Sequence, residues 1–222
     1  MKLGILLSGG KDSNYSMYLA KKAGNEIVCL ITLSSKNTHS YMFQKPSVSQ
    51  TKKQAKVLNI PLISVKTLGE KEKELKDLKK AIKKAIKEYK IEGIVTGAVR
   101  SEYQASRIQK ICDDLKIKCI NPLWQKDQIG LLKEIVKEKF EVVIVGVGAY
   151  PLDKSWLGRK IDEKFINEME KFQEKYKINP SGEGGEFESF VLNGPLFSRP
   201  LRIKSFKDSG EGHSWQREIK VE

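Results

Sequence analysis

Leu3-Gly4-Ile5-Leu6-Leu7-Ser8-Gly9-Gly10-Lys11-Asp12-Ser13 runs a short aliphatic stretch straight into two glycines, a lysine, an aspartate and a serine, and this junction decides the fold. The continuous apolar run reads as a buried strand over 2–8. Residues 12–23 read as a helix that Gly24 closes. A strand that turns through adjacent glycines into a helix start is suited to phosphate. The glycines let backbone N–H groups come close to phosphate oxygens, and the helix start adds the positive end of its dipole. Lys11 supplies a mobile point charge, and Ser8 and Ser13 supply hydroxyl donors. The spacing excludes both a Walker A loop and the dinucleotide G-x-G-x-x-G. Asp12 has two readings at this stage, a ligand for Mg²⁺ or a helix cap.

Outward from this turn the chain alternates. Strands are expected over 27–33, 62–65 and 91–96, and helices over 48–58, 69–89 and 101–115. In the second of these helices Leu75, Leu78, Ile82, Ala85, Ile86 and Tyr89 recur at helical spacing, with lysines and glutamates on the other face. Such alternation without long hairpins predicts an α/β fold: a doubly wound parallel sheet with helices on both faces. Near 118–122 the register changes, and Asn121-Pro122-Leu123-Trp124 reads as a bridge. The expected division is a nucleotide-binding domain over 1–120 and a smaller α+β domain over 121–222. The second would hold helices over 127–138 and 160–176, a strand over 142–147, and a terminal hairpin with its loop at 207–212.

Composition bounds the rest. With 222 residues, 39% hydrophobic and 31% charged, the chain reads as globular, and no apolar run approaches the roughly 20 residues of a membrane span. The N-terminal apolar stretch is too short for a signal peptide, and Lys11 and Asp12 follow it at once. Cys29, Cys112 and Cys119 are odd in number and fit no metal spacing, so structural thiols in a reducing cytoplasm are expected. A net charge of +13 suits polyanionic partners, and equally the lysine- and glutamate-rich surface of a protein that works hot. His39 and His213 are too far apart in sequence to suggest a metal pair.

A second constellation is Glu183-Gly184-Gly185-Glu186-Phe187-Glu188, three carboxylates within six residues of a basic protein. Such a loop wants a cation: Mg²⁺ on ATP, ammonium, or a charged headgroup. If Phe187 enters a core, Glu186 and Glu188 project from the opposite face and can meet one ligand. Glu183 joins them only if the glycines bend the chain back. Between these loops lies Gly97-Ala98-Val99-Arg100-Ser101-Glu102-Tyr103-Gln104, at the end of the fourth strand, where a parallel sheet opens its ligand crevice. Gly97 is expected to admit the nucleotide. Ser101, Tyr103, Gln104, Arg107 and Glu188 are expected toward substrate, and Trp156 is expected as a core or interface anchor or at the entrance.

The opening S-G-G-K-D-S loop resembles that of the ATP pyrophosphatases. With residues 97–104, Pro122-Leu123-Trp124, Leu157-Gly158-Arg159 and 182–188 in that order, the chain from Met1 to about Phe197 resembles the diphthine-ammonia ligases. Two departures stand out: Gln44 after Ser40-Tyr41-Met42-Phe43, where many relatives carry His, and Ser189, where Thr is common. The first removes a general base from that position. The resemblance implies a cytoplasmic enzyme that amidates the diphthine carboxylate of elongation factor 2 with ammonium, using ATP and Mg²⁺. Neither membrane nor nucleic acid would be required, and the oligomeric state stays open, a homodimer included. Ser8, Gly9, Gly10, Lys11, Asp12, Ser13 and Gly97 would hold ATP, with Lys11, Glu183 and Glu186 as catalytic residues. Two rivals remain at this point: an enzyme of the same superfamily that adenylates a tRNA base, and a non-catalytic ATP-binding module.

Overall fold

The N-terminal aliphatic run is β1 (Lys2–Leu6), with Leu3 and Ile5 fully buried, as a strand covered on both faces requires. It lies at the centre of a five-stranded parallel sheet ordered β3-β2-β1-β4-β5, with β2 (Glu26–Ser35) on one side and β4 (Gly93–Val95) on the other. The computed structural model describes residues 1–35, 48–67 and 73–222. Ser40, Tyr41, Met42, Phe43, Gln44 and His39 therefore lie outside the described residues. Because chain order reverses between β1 and β4, the crevice past their C-terminal ends is the ligand position of such a sheet. The phosphate-loop residues follow β1, and Gly97 follows β4.

Helices α1 (Lys11–Lys22), α2 (Thr51–Leu58), α3 (Lys73–Tyr89) and α4 (Glu102–Asp114) alternate with the strands, and β3 is Leu62–Thr67. The fifth strand, β5 (Lys118–Ile120), falls where the sequence shows only a change of register. Three residues are too few for periodicity to register, yet Cys119 pairs with Ile94 and extends the sheet.

The remainder builds a four-stranded antiparallel sheet ordered β7-β6-β9-β8, from β6 (Glu141–Val147), β7 (Phe187–Asn193), β8 (Ile203–Glu211) and β9 (Ser214–Val221). Helices α5 (Gln128–Lys137) and α6 (Glu163–Tyr176) start at side-chain caps: Asp127 accepts from the Gly130 N–H at 2.6 Å and Asp162 from the Phe165 N–H at 2.8 Å. Helix α6 starts later than expected because Lys160 bridges to Val143 instead. The hairpin expectation also needs correction. Residues 207–211 belong to β8, and only Gly212 and His213 turn the chain. Asp208 sits opposite Arg217 and accepts from it at 2.7 and 2.8 Å, while the guanidinium lies 3.9 Å from the Phe206 ring centroid. Cross-strand pairing thus stabilises a stretch whose polar composition resembles a loop.

The two sheets share a core. Tyr15 of α1 packs in one buried cluster with Leu131 and Ile135 of α5, Phe140, and Val191 of β7. Tyr15 and Tyr18 donate to Glu134 at 2.8 Å and Glu138 at 2.6 Å. Burial works against ionisation of Glu134, but hydrogen bonds from Lys126 and Tyr15 hold its carboxyl below the usual range, while burial and Glu134 push the Tyr15 phenol up. The helix that opens at the phosphate loop is therefore braced against the second unit. No helix among the described residues is long and apolar enough to cross a membrane.

Candidate functional site

Gly10 is the N-cap of α1 and offers no side-chain cap, and it lines the cleft at the start of the helix. The cap reading of Asp12 is thereby corrected: it sits in the first turn, and both its oxygens accept from Lys11 Nζ at 2.9 Å. Lys11 is only 3% exposed, and its Nζ is 5.4 Å from the Phe187 ring centroid. Ser8 and Ser13 hydroxyls lie 3.1 Å apart, and Ser13 Oγ donates to the Gly10 carbonyl, so the serines shape the loop as well as offering donors.

The glycines divide the work differently from expectation. Gly10 lines the cleft, whereas Gly9, at φ +91°, turns toward Phe190, whose ring a Cβ would meet at 3.1 Å. Gly97 lines the cleft too, but what approaches it closely is protein: a Cβ there would stand 2.8 Å from Ser13 N and 3.0 Å from the Asp12 carbonyl carbon. Both are backbone atoms, so the start of α1 would have to move. Gly97→Ala is expected to cost about 1–3 kcal/mol of stability and to raise the KM for ATP. Thermal melts and ATP titration check this; unchanged values in both would contradict it.

Facing this loop is β7. Ser189 Oγ accepts from the Lys11 N–H at 3.2 Å, and the Val191 N–H donates to the Gly9 carbonyl at 3.0 Å. The departure from Thr at 189 keeps the hydroxyl that this contact needs. Just upstream, Gly182 and Gly185 take φ +80° and +87° and fold the acidic loop back on itself. Phe187 is buried, but the expectation that Glu186 and Glu188 meet one ligand is not met. Glu186 turns under its own loop, where Oε1 accepts from the Asn179 N–H at 2.9 Å and Nδ2 at 2.7 Å, and Oε2 from the Gly184 N–H at 2.8 Å. Gln128 at the start of α5 holds Asn179 Oδ1 at 3.2 Å and accepts from the Ser181 hydroxyl at 2.8 Å. Glu183 and Glu188 are the carboxylates that line the cleft, and Glu183 accepts from the Arg100 N–H at 3.2 Å.

Both loops thus border one cleft of about 330 Å³. Leu6, Ile31, Leu33 and Ile108 line an apolar part of it, and Thr96, Ser101 and Gln104 add polar groups. Ser101 also caps α4, accepting from the Gln104 N–H. Tyr103 and Arg107 are not among the lining residues; the Arg107 guanidinium stacks on the Tyr103 ring at 3.6 Å. Of the two readings of Trp156 the core anchor holds: it is buried against Phe165 and Phe172 and does not line the cleft. The thiols stay out of the cleft: Cys29 is pushed up to about 12 by burial and by Glu88, and Cys112 is raised by its hydrogen bond to Cys119 and by burial. No cluster of three or more metal-ligating side chains occurs among the described residues. Mg²⁺ usually binds through one or two carboxylates plus substrate phosphates, and Asp12, Glu183 and Glu188 on one cleft fit that demand.

Sequence reasoning missed Gln54, Asn179 and Gln128, which brace the two loops from behind. Gln54 sits on a lysine-rich helix, and nothing in its neighbours marks it as buried.

A parallel sheet with a glycine turn and an uncapped helix start at its switch point, facing a lysine and carboxylates, defines a nucleotide-binding α/β protein of the phosphate-loop kind. Family profiles described as the diphthamide synthase N-terminal and C-terminal domains match residues 1–119 and 127–220. Curated relatives named "Diphthine--ammonia ligase" include that of Bos taurus, 33% identical over 92% of this chain and 84% of its own length, and that of Homo sapiens, 32% identical over the same shares. The Saccharomyces cerevisiae relative of that name is 28% identical, covering 100% of this chain and 37% of its own length. Among solved structures, a "predicted subunit of tRNA methyltransferase" from Methanocaldococcus jannaschii aligns with TM-score 0.43 and 19% identity over 88% of this chain and 98% of that one. The chain belongs to the diphthamide synthase family.

Proposed function

We propose that this chain is an AMP-forming ligase that amidates the diphthine carboxylate of elongation factor 2 with ammonium. The observation that carries the reading is that Lys11 of the phosphate loop and Glu183 of the acidic loop line the same cleft, in a family whose curated relatives are named for this reaction. A carboxylate is a poor acyl donor because oxide would have to leave, so it is first converted to a mixed anhydride. A substrate carboxylate oxygen attacks the α-phosphorus of ATP, the bond to the β-phosphate oxygen breaks, and pyrophosphate departs. Lys11 and the positive end of the α1 dipole stabilise the charge that develops there. Asp12 and one of the lining glutamates would hold Mg²⁺, which supplies charge neutralisation on the phosphates.

Ammonia nitrogen then attacks the acyl carbon and AMP leaves. Ammonium must lose a proton first, and this reading gives that proton to Glu183, one of the carboxylates lining the cleft. Glu188 adds to the attraction for a cation, and Glu186 acts as a positioning residue by holding the loop. On this reading residues 1–120 activate the substrate and residues 121–222 supply the amine side, in the cytoplasm, where three unpaired cysteines are at home. Incubation with ATP, ammonium and diphthine-bearing elongation factor 2 tests it. AMP and pyrophosphate should appear only when the factor is present. ADP with orthophosphate, or ATP left intact, would overturn the proposal.

A further inference from the structure

We infer that Gln54 is a positioning residue for the pyrophosphate product: it sets the direction in which the peptides of the phosphate loop point. The inference rests on the adenylation reading above. In a trans peptide the C=O and the N–H of one unit point in opposite directions. The Gly9 carbonyl accepts from two converging donors, Gln54 Nε2 at 3.0 Å and the Val191 N–H at 3.0 Å, and is thereby turned toward α2 and β7. The Gly10 N–H, on the same peptide, must then face the other way, toward the cleft that Gly10 lines. Its contact there is a long one, 3.4 Å to Ser8 Oγ, which a phosphate oxygen can replace. The next peptide is treated alike: the Gly10 carbonyl is taken by Asn14 Nδ2 at 3.0 Å and Ser13 Oγ at 3.1 Å. With both carbonyls withdrawn, a polyanion meets the Gly10 N–H and not C=O lone pairs, while the Lys11 N–H is held by Ser189 Oγ at the same cleft.

Three features make Gln54 more than packing. It is completely buried, both amide protons are committed, the second to the Val191 carbonyl at 2.8 Å, and its Oε1 has no hydrogen-bond partner among the described residues. An orphaned buried oxygen costs stability, a cost that the two bonds donated by Nε2 offset. The amide is oriented to hold two carbonyls, one of them belonging to the loop.

The test compares wild type with Gln54→Met, which keeps length but loses the donors, and Gln54→Glu, which sets a carboxylate against both carbonyls. Product-inhibition constants are measured for pyrophosphate and for AMP, with melting temperatures alongside. The expected result is pyrophosphate binding weaker by about tenfold in Gln54→Met, with AMP inhibition changed by less than about twofold. Gln54→Glu should be weaker still, and if it does not fold, Gln54→Met decides. Equal loss of both ligands, or loss of neither, overturns the inference while leaving the adenylation reading in place. A wild-type chain that binds neither ATP nor pyrophosphate overturns both.

Discussion

Lys11→Met is expected to slow AMP-forming turnover by about 10²–10³, equivalent to about 3–4 kcal/mol of transition-state stabilisation, with a much smaller change in the KM for the protein substrate. Two effects add. The charge that meets the departing pyrophosphate is lost, and the Asp12 carboxylate, now held by Lys11 Nζ through both oxygens, is left unpaired beside incoming phosphates. Combining Lys11→Met with Asp12→Asn separates them. Partial recovery would mean that Asp12 mainly needs masking, and a further loss would mean that it holds the metal. Pyrophosphate release measured under saturating ammonium reads the result, and unaltered turnover in Lys11→Met would remove this lysine from the chemistry.

The second large effect concerns two glutamates only three residues apart. Glu183→Gln removes a carboxylate that lines the cleft, and should raise the ammonium KM by about tenfold or more while leaving the melting temperature near that of wild type. Glu186→Gln should act through stability first. Its new amide would place N–H groups against the Gly184 N–H or the Asn179 donors, and lose charge-assisted bonds worth about 1.5–3 kcal/mol each. A clear drop in melting temperature is therefore expected, with KM values for ammonium and ATP rising together as the loop loosens. Ammonium titrations paired with thermal melts distinguish the two. Identical behaviour of both variants would mean that the carboxylates do not divide the work this way.

Much of the fold was legible because long elements carry periodic signals. The apolar run of β1, the lysine-backed stripe of α3 and the alternation up to α4 each report burial through their own neighbours in sequence. β5 was not legible, being three residues long, and neither was the end of β8, whose Asp208 is stabilised by Arg217 on the next strand. The same distinction runs through the site. Ser8 to Ser13 pointed to phosphate chemistry by residue type and spacing alone, and the structure puts Ser8, Gly10, Lys11, Asp12 and Ser13 on one cleft. That Gly97 would press on α1 and that Gln54 would reach Gly9 depend on atoms distant in the chain, while Glu186 turns back to Asn179, seven residues away, only because Gly182 and Gly185 take positive φ.

By itself the sequence determined the class of sheet, the glycine turn after its central strand, and the presence of an acidic loop in a basic chain. Those are properties of local composition and periodicity, encoded within a dozen residues or fewer. The tertiary structure alone decided which carboxylates enter the cleft and which brace it. It also decided that β7 of the second sheet, through Ser189 and Val191, would bind the loop that follows β1 of the first. The physical reason is that a hydrogen bond or a close backbone approach has no sequence signature when its partners lie well over a hundred residues apart, as Lys11 and Ser189 do.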